Sequence, residues 1–230
     1  SVDLSSAIID PSALKLVPRD LAKRHHLLPL DYDARNRRLT IAVADSNDIV
    51  ALDRIRGLAG DEIEIETLLA GETDIDRGID QCYGHELSID GILHEIETGE
   101  IDFRGLQSAD EYSQPVVRLI DSILTDAVKR DSSDIHFEPE ASFLRIRYRI
   151  DGMLRQVRSL HKTYWPAMAV RIKVLSGMNI AETRAPQDGR IALNMRGRQV
   201  DFRVSVQPTI HGENIVLRIL DRQKGIVPLA

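Results

Sequence analysis

Arg203 and Arg218 lie in strand-like stretches where a permanent charge needs an explanation. Val200, Phe202, Val204 and Val206 alternate as one apolar side, which leaves Asp201, Arg203 and Ser205 on the other. Arg218 shares a strand face with Val216 and Leu220. A guanidinium beside apolar neighbours needs an anionic partner. Two partners are open: an internal carboxylate such as Asp201, or a phosphate, which the planar fork of the guanidinium fits. A place at a sheet edge would also accommodate Arg218. Pattern alone favours the internal pair, because structural ion pairs are common. A second group, Asp134, His136 and Glu138, repeats at every other residue and so shares one strand face. Carboxylates and imidazoles both bind metals, but the next strand carries Arg145, Arg147 and Arg149 on one face. Acid-to-arginine pairs across a hairpin explain the arrangement without a metal, and no metal site is expected. His25 and His26 follow Lys23 and Arg24 at a predicted helix end, where the helix dipole favours positive charge.

The elements that would position these residues fall into two modules. In the first, Pro18 starts a helix over 19–25, and short strands follow at 27–32 and 38–44 around a polar turn at 33–37. Asn47 is placed to cap a helix with Ile49, Leu52 and Ile55 on its apolar face, ended by Gly57 or Gly60. Residues 62–69 alternate as a half-buried strand, and Thr73 with Asp76 has the capping-box spacing for a last helix carrying Ile75 and Ile79. Residues 85–112 are largely acidic and read as a linker, with one weak helical patch at Ile89, Ile92, Leu93 and Ile96. The second module opens with the strongest helix: Val116, Leu119, Ile120, Ile123, Leu124 and Ala127 form one continuous stripe. Strands are expected at 134–138 and 143–150, then a turn at Asp151-Gly152 and a strand at 153–157. A helix over 163–176 buries Trp165, Met168, Ile172 and Leu175, and strands follow at 191–195, 200–206 and 215–220. The fold class is therefore α/β plus α+β: an α/β domain at 1–84, the linker at 85–112, and a helix-plus-antiparallel-sheet domain at 113–230.

Composition narrows the function classes. At 230 residues the chain has room for two small domains, and 43% apolar with 29% charged residues is ordinary for a globular protein. No apolar run reaches the roughly 18 residues a membrane span needs, and the start Ser1-Val2-Asp3-Leu4 is unlike a signal peptide. A cytoplasmic protein is expected, and the lone Cys82 agrees with a reducing compartment. A net charge of −6 argues against a surface built for nucleic acid. The charge is uneven, with an acidic stretch at 85–112 and a basic one at 145–173, which suggests differently built modules and a local anionic partner. No G-x-x-x-x-G-K-[ST], H-E-x-x-H or G-x-S-x-G motif occurs.

Several blocks in a fixed order carry a resemblance. They are Ser133-Asp134-Ile135-His136-Phe137-Glu138-Pro139, Arg147-Tyr148-Arg149-Ile150-Asp151-Gly152, Arg171-Ile172-Lys173, residues 181–190 (AETRAPQDGR), Val200-Asp201-Phe202-Arg203-Val204-Ser205, and residues 212–218 (GENIVLR). Together they resemble the N2 domain of the type II secretion and type IV pilus assembly ATPases, the GspE and PilB-like family. The first module is more loosely similar to the C-terminal part of the N1 domain, through Ile9-Asp10-Pro11, Leu28-Pro29-Leu30, residues 39–45 and Tyr83-Gly84. The resemblance implies that a P-loop ATPase domain follows Ala230 and that six subunits form a ring using ATP and magnesium. It also implies that residues 1–84 dock on an inner-membrane platform protein, which would hold a cytoplasmic motor peripherally at that membrane. The family's N2 arginines that approach the nucleotide phosphates map onto Arg203 and Arg218, as catalytic and cofactor-binding groups of the full-length parent. That mapping reverses the preference that pattern alone gave. The family often has a basic residue where this chain has Asn214. The R-L-G-x-x-L motifs with which some relatives bind cyclic di-GMP are absent here, so that property does not carry over.

Two other functions compete. One is a self-contained module whose basic hairpin grips an acidic protein or RNA; the other is a pilus retraction ATPase, which the long first module fits less well. Because nothing here is shaped to cradle nucleotide phosphates by itself, the 230-residue chain should not hydrolyse ATP and has no cofactor of its own. Phosphate release measured on purified chain with magnesium and ATP should match the buffer blank. Release that co-purifies with the chain would overturn this.

Overall fold

A computed structural model describes residues 4, 7–60, 62–83, 87–98 and 114–220. The chain divides into two compact units, one of residues 1–101 with 193–199, the other of residues 102–192 with 200–230.

The first unit combines short helices with a three-stranded sheet. Strand β1 (Ala7–Ile8) precedes helices α1 (Pro11–Leu14) and α2 (Arg19–Arg24). Strands β2 (Leu27–Asp33) and β3 (Arg38–Val43) run antiparallel, and β4 (Glu64–Leu69) lies parallel to β3. A parallel neighbour requires a crossover, which helix α3 (Ile49–Ala59) supplies. Its cap is Asp48, whose Oδ1 accepts the Ala51 N–H at 3.0 Å, one residue beyond the expected Asn47. The buried face also differs from the expected one: Ala51 and Ile55 are buried, while Ile49 is 67% exposed. Helix α4 (Glu72–Cys82) buries Ile75 and Ile79, but its N-cap is Gly71 and the expected Thr73–Asp76 capping box does not form. Asp76 is turned to His26 instead. Helix α5 (Ile89–Glu97) forms at the weak helical patch, with the Ser88 hydroxyl accepting the Gly91 N–H at 3.1 Å and Ile89, Ile92 and Ile96 buried. The remainder of the expected linker, residues 85–86 and 99–112, lies outside the described residues. In the same unit, β1 pairs in parallel with Asn194 and Met195, and the turn residues Arg196 and Gly197 both have positive φ. A Cβ on Gly197 would stand 2.9 Å from Thr40 Cγ2, so only glycine fits there.

The second unit is a sheet covered on one side by helices. Helix α6 (Pro115–Lys129) leads into β5 (Asp134–Pro139), β6 (Phe143–Ile150) and β7 (Met153–His161). The β6–β7 turn is Asp151-Gly152, both with positive φ (50° and 77°), the two-residue hairpin expected from the sequence. A 3₁₀ turn at Lys162–Tyr164 precedes helix α7 (Trp165–Leu175). Strands β8 (Gln187–Met195) as far as residue 192, β9 (Arg198–Thr209) from residue 200, and β10 (Gly212–Leu220) complete it, in the order β8-β9-β10-β5-β6-β7. β6 keeps its expected bounds, while β5 and β7 to β10 outrun the apolar cores that suggested them, because the ladder continues wherever backbone partners remain available.

The predicted stripe of α6 is buried throughout. It covers one sheet face, where the Tyr148 hydroxyl donates to the Ile123 carbonyl at 3.1 Å. On that face Phe137 stacks on Trp165 with ring centroids 5.6 Å apart, and the indole N–H donates to the Glu213 carbonyl at 3.0 Å. Phe137 is fully buried, so Phe137→Ala should remove about 3–5 kcal/mol of stability. Urea unfolding of the chain checks this: the midpoint should fall with an unchanged slope.

Candidate functional site on the polar sheet face

Covering one face of the sheet fixes what the other shows, since alternate side chains point oppositely. With Ile135, Phe137, Val204, Val206, Ile215 and Leu217 buried, the opposite face receives Arg203, Asp134, His136, Glu138, Arg145, Arg147, Arg149 and Arg218. Register places them in rows. Arg203 on β9 lies directly opposite Arg218 on β10, Arg218 opposite Asp134 on β5, and Asp134 opposite Arg149 on β6. The next row holds Ser205, Val216, His136 and Arg147.

One carboxylate holds the first row together. The Asp134 side chain is 6% exposed. Its Oδ1 accepts from Arg218 Nε at 3.0 Å, while Oδ2 lies 3.2 Å from Arg149 Nε and accepts from the Ser133 hydroxyl at 2.8 Å. Burial pushes the Asp134 carboxyl up, but the Ser133 hydroxyl and the two guanidiniums outweigh it and hold it below the usual carboxylate range. The internal partner of Arg218 is therefore Asp134, not Asp201, and β10 lies inside the sheet rather than at its edge. Arg218 itself is 68% exposed and is held only through Nε among the described residues. The Arg203 side chain is exposed, and no ion pair or side-chain hydrogen bond joins it to a described residue.

The second acid of β5 is also engaged by arginine. Glu138 pairs closely with Arg147, and Arg145 reaches Glu140 at 2.8 Å. His136 lies between them, and burial holds its ring below the ordinary histidine range despite the carboxylates of Glu138 and Asp134. These pairs match the hairpin expected from the sequence. In the first unit, His25 and His26 are paired with acids rather than left to a helix dipole. His25 Nδ1 is 2.7 Å from Asp48 Oδ2. His26 Nδ1 is 2.9 Å from Asp76 Oδ1, and Glu72 is 3.5 Å from Nε2. His26, Glu72 and Asp76 are the one group of potential metal ligands among the described residues, and these ion pairs account for it.

Sequence reasoning missed Lys173. It is 1% exposed, lies 2.6 Å from Glu213 Oε1 and donates to the Glu182 carbonyl at 2.6 Å. It ties the 176–187 segment to β10, with Gln187 donating to the Asn179 and Glu182 carbonyls. Its signal was present: a lysine on the apolar side of a helix needs a buried acid.

Comparison with known proteins identifies the architecture. The family model described as type II/IV secretion system protein matches residues 109–229, and the MshEN domain model matches residues 1–89. The chain belongs to the type II secretion and type IV pilus ATPase family. A type IV pilus assembly ATPase PilB of Myxococcus xanthus is 35% identical over 230 residues, covering 96% of this chain and 40% of that protein. A type II secretion system protein E of Xanthomonas campestris pv. campestris is 38% identical over 205 residues, covering 87% of this chain and 35% of its own length. The chain thus spans well under half of these relatives. A solved structure titled "Structure of MshE with cdg" shares 29% identity over 35% of this chain and 55% of its own, with a TM-score of 0.32. Among the described residues no helix is long and apolar enough to cross a membrane.

Arg218→Ala should cost this family member little stability, because Asp134 keeps Arg149 and Ser133 and the lost partner is exposed: about 1 kcal/mol or less at neutral pH. A carboxyl depressed on folding stabilises above its unfolded pKa, about 3.9 for aspartate, and that contribution is lost as pH falls through the lower folded value. The difference between wild type and variant should therefore be full at pH 7 and vanish in strong acid. Stability measured against pH tests it, and NMR titration of the Asp134 carboxyl should show a raised pKa in the variant.

Proposed function

We propose that this chain is the N-terminal regulatory and docking region of a hexameric ATPase that powers type II secretion or type IV pilus assembly. Its family membership supports the machine, and the MshEN match to residues 1–89 supports a regulatory first unit. In this reading residues 1–84 bind a platform protein of the inner membrane, placing a cytoplasmic motor at that surface. The second unit meets its own C-terminal ATPase domain and neighbouring subunits.

The observation that carries the site is the Arg203–Arg218 pair. Two guanidiniums directly opposite on neighbouring strands repel one another, and the carboxylate that holds Arg218 is shared with Arg149. The N–H groups that Arg218 does not spend on Asp134, and all of those on Arg203, suit phosphate oxygens. They do not suit magnesium, so the ion of a magnesium–ATP complex would be held by groups outside this face. Within the parent, both guanidiniums would approach the terminal phosphate as the ATPase domain closes, offsetting the negative charge of phosphoryl transfer.

A positioned arginine of this kind contributes about 10³-fold or more to turnover. Arg203→Ala and Arg218→Ala in the full-length protein should each lower kcat by about that factor while the isolated chain melts near the native temperature. Normal turnover in both variants would end the proposal.

A further inference from the structure

Arg218 is a long, mostly exposed side chain, and free in water such a chain samples many rotamers. A group that must meet a phosphate cannot be left so, because misplacement by about 1 Å costs on the order of 10²-fold in rate. We infer that Asp134 is the positioning residue of the anion site, a buried carboxylate that aims Arg218 without touching the ligand; this rests on the phosphate reading above.

Three features carry the assignment. The grip is through Nε, at 3.0 Å, so the inner edge of the guanidinium faces the protein and the remaining N–H groups stay available. The carboxylate is itself immobilised: Oδ1 is taken by Arg218 and Oδ2 by Ser133 and Arg149. Its backbone is fixed as well, because the Ser133 N–H donates to the Arg149 carbonyl at 2.9 Å and the Ile219 N–H donates to the Ser133 carbonyl at 2.8 Å. Finally, Asp134 separates Arg218 from Arg149 in a row that also contains Arg203. Without it, three like charges would stand in one row with no carboxylate among them, and Arg218 would swing away from the other two. Both Asp134 oxygens are thus engaged, which suits a brace, and an ionised carboxylate has no donor to offer an anion.

The test is a double-mutant cycle in the full-length protein, reading kcat and KM for ATP with magnesium, alongside melting of each variant. Asp134→Asn keeps the shape and removes the charge. It should lower kcat by about 10²-fold with KM changed far less, and should have no further effect on kcat when Arg218 is already alanine. Ser133→Ala, a gentler change should Asp134→Asn fold poorly, should give a smaller kcat loss that likewise disappears in the Arg218→Ala background. Losses that multiply in full with Arg218→Ala would overturn the inference. So would an Asp134→Asn variant with lowered melting and native kcat, which would leave Asp134 a structural ion pair. If Arg218→Ala alone turns over normally, the phosphate reading fails first and takes this inference with it.

Discussion

The second unit depends on a one-sided sheet. Helices α6 and α7 cover one face, and every strand must then turn its apolar residues toward them. Because the side-chain period is two, the residues between have no choice of side. Asp134, His136 and Glu138, three arginines of β6, and Arg203 with Arg218 converge on the opposite face for this reason alone. A slip of one residue in any strand would bury a charge and expose a phenylalanine or leucine, so packing also secures the register. The Phe137–Trp165 stack and the Tyr148 hydroxyl are the contacts that hold β5 and β6 to that register.

Once the charges share a face, their energetics depend on burial more than on number. Asp134 is nearly inaccessible and keeps three donors, so it remains ionised in a place that desolvates it. Lys173 and Glu213 form a second buried pair on the helix-covered side, and Lys173 also satisfies a backbone carbonyl. Removing either partner of such a pair leaves an uncompensated charge, whereas the exposed arginines can be lost at small cost. The same unit therefore has charges that define structure and charges that are available for binding.

The first unit shows how local signals yield to tertiary partners. Thr73 and Asp76 have capping-box spacing, yet Asp76 bonds His26 from another segment and Gly71 begins the helix. Asn47 could have capped α3, but Asp48 does so while also receiving His25. In each case a carboxylate meets a histidine from another segment, and the helix is capped at a residue other than the one its local spacing suggested.

Much of this protein was legible in the residues themselves. Periodicity located α6 and the strand cores, Asp151-Gly152 located its hairpin, and the apolar alternation at 200–206 put Arg203 on an open face. The ordered blocks through residues 133–218 pointed to the family. The sequence could also say that Arg218 needed an anion, since a charge among apolar neighbours is costly wherever it lies. It could not say which one. Asp201 and Asp134 were both available, and choosing between them required knowing that β10 runs between β9 and β5 with Arg218 opposite Asp134. Strand order and register bring together residues 84 positions apart. They follow from the packing of the whole sheet against its helices, which no local pattern encodes.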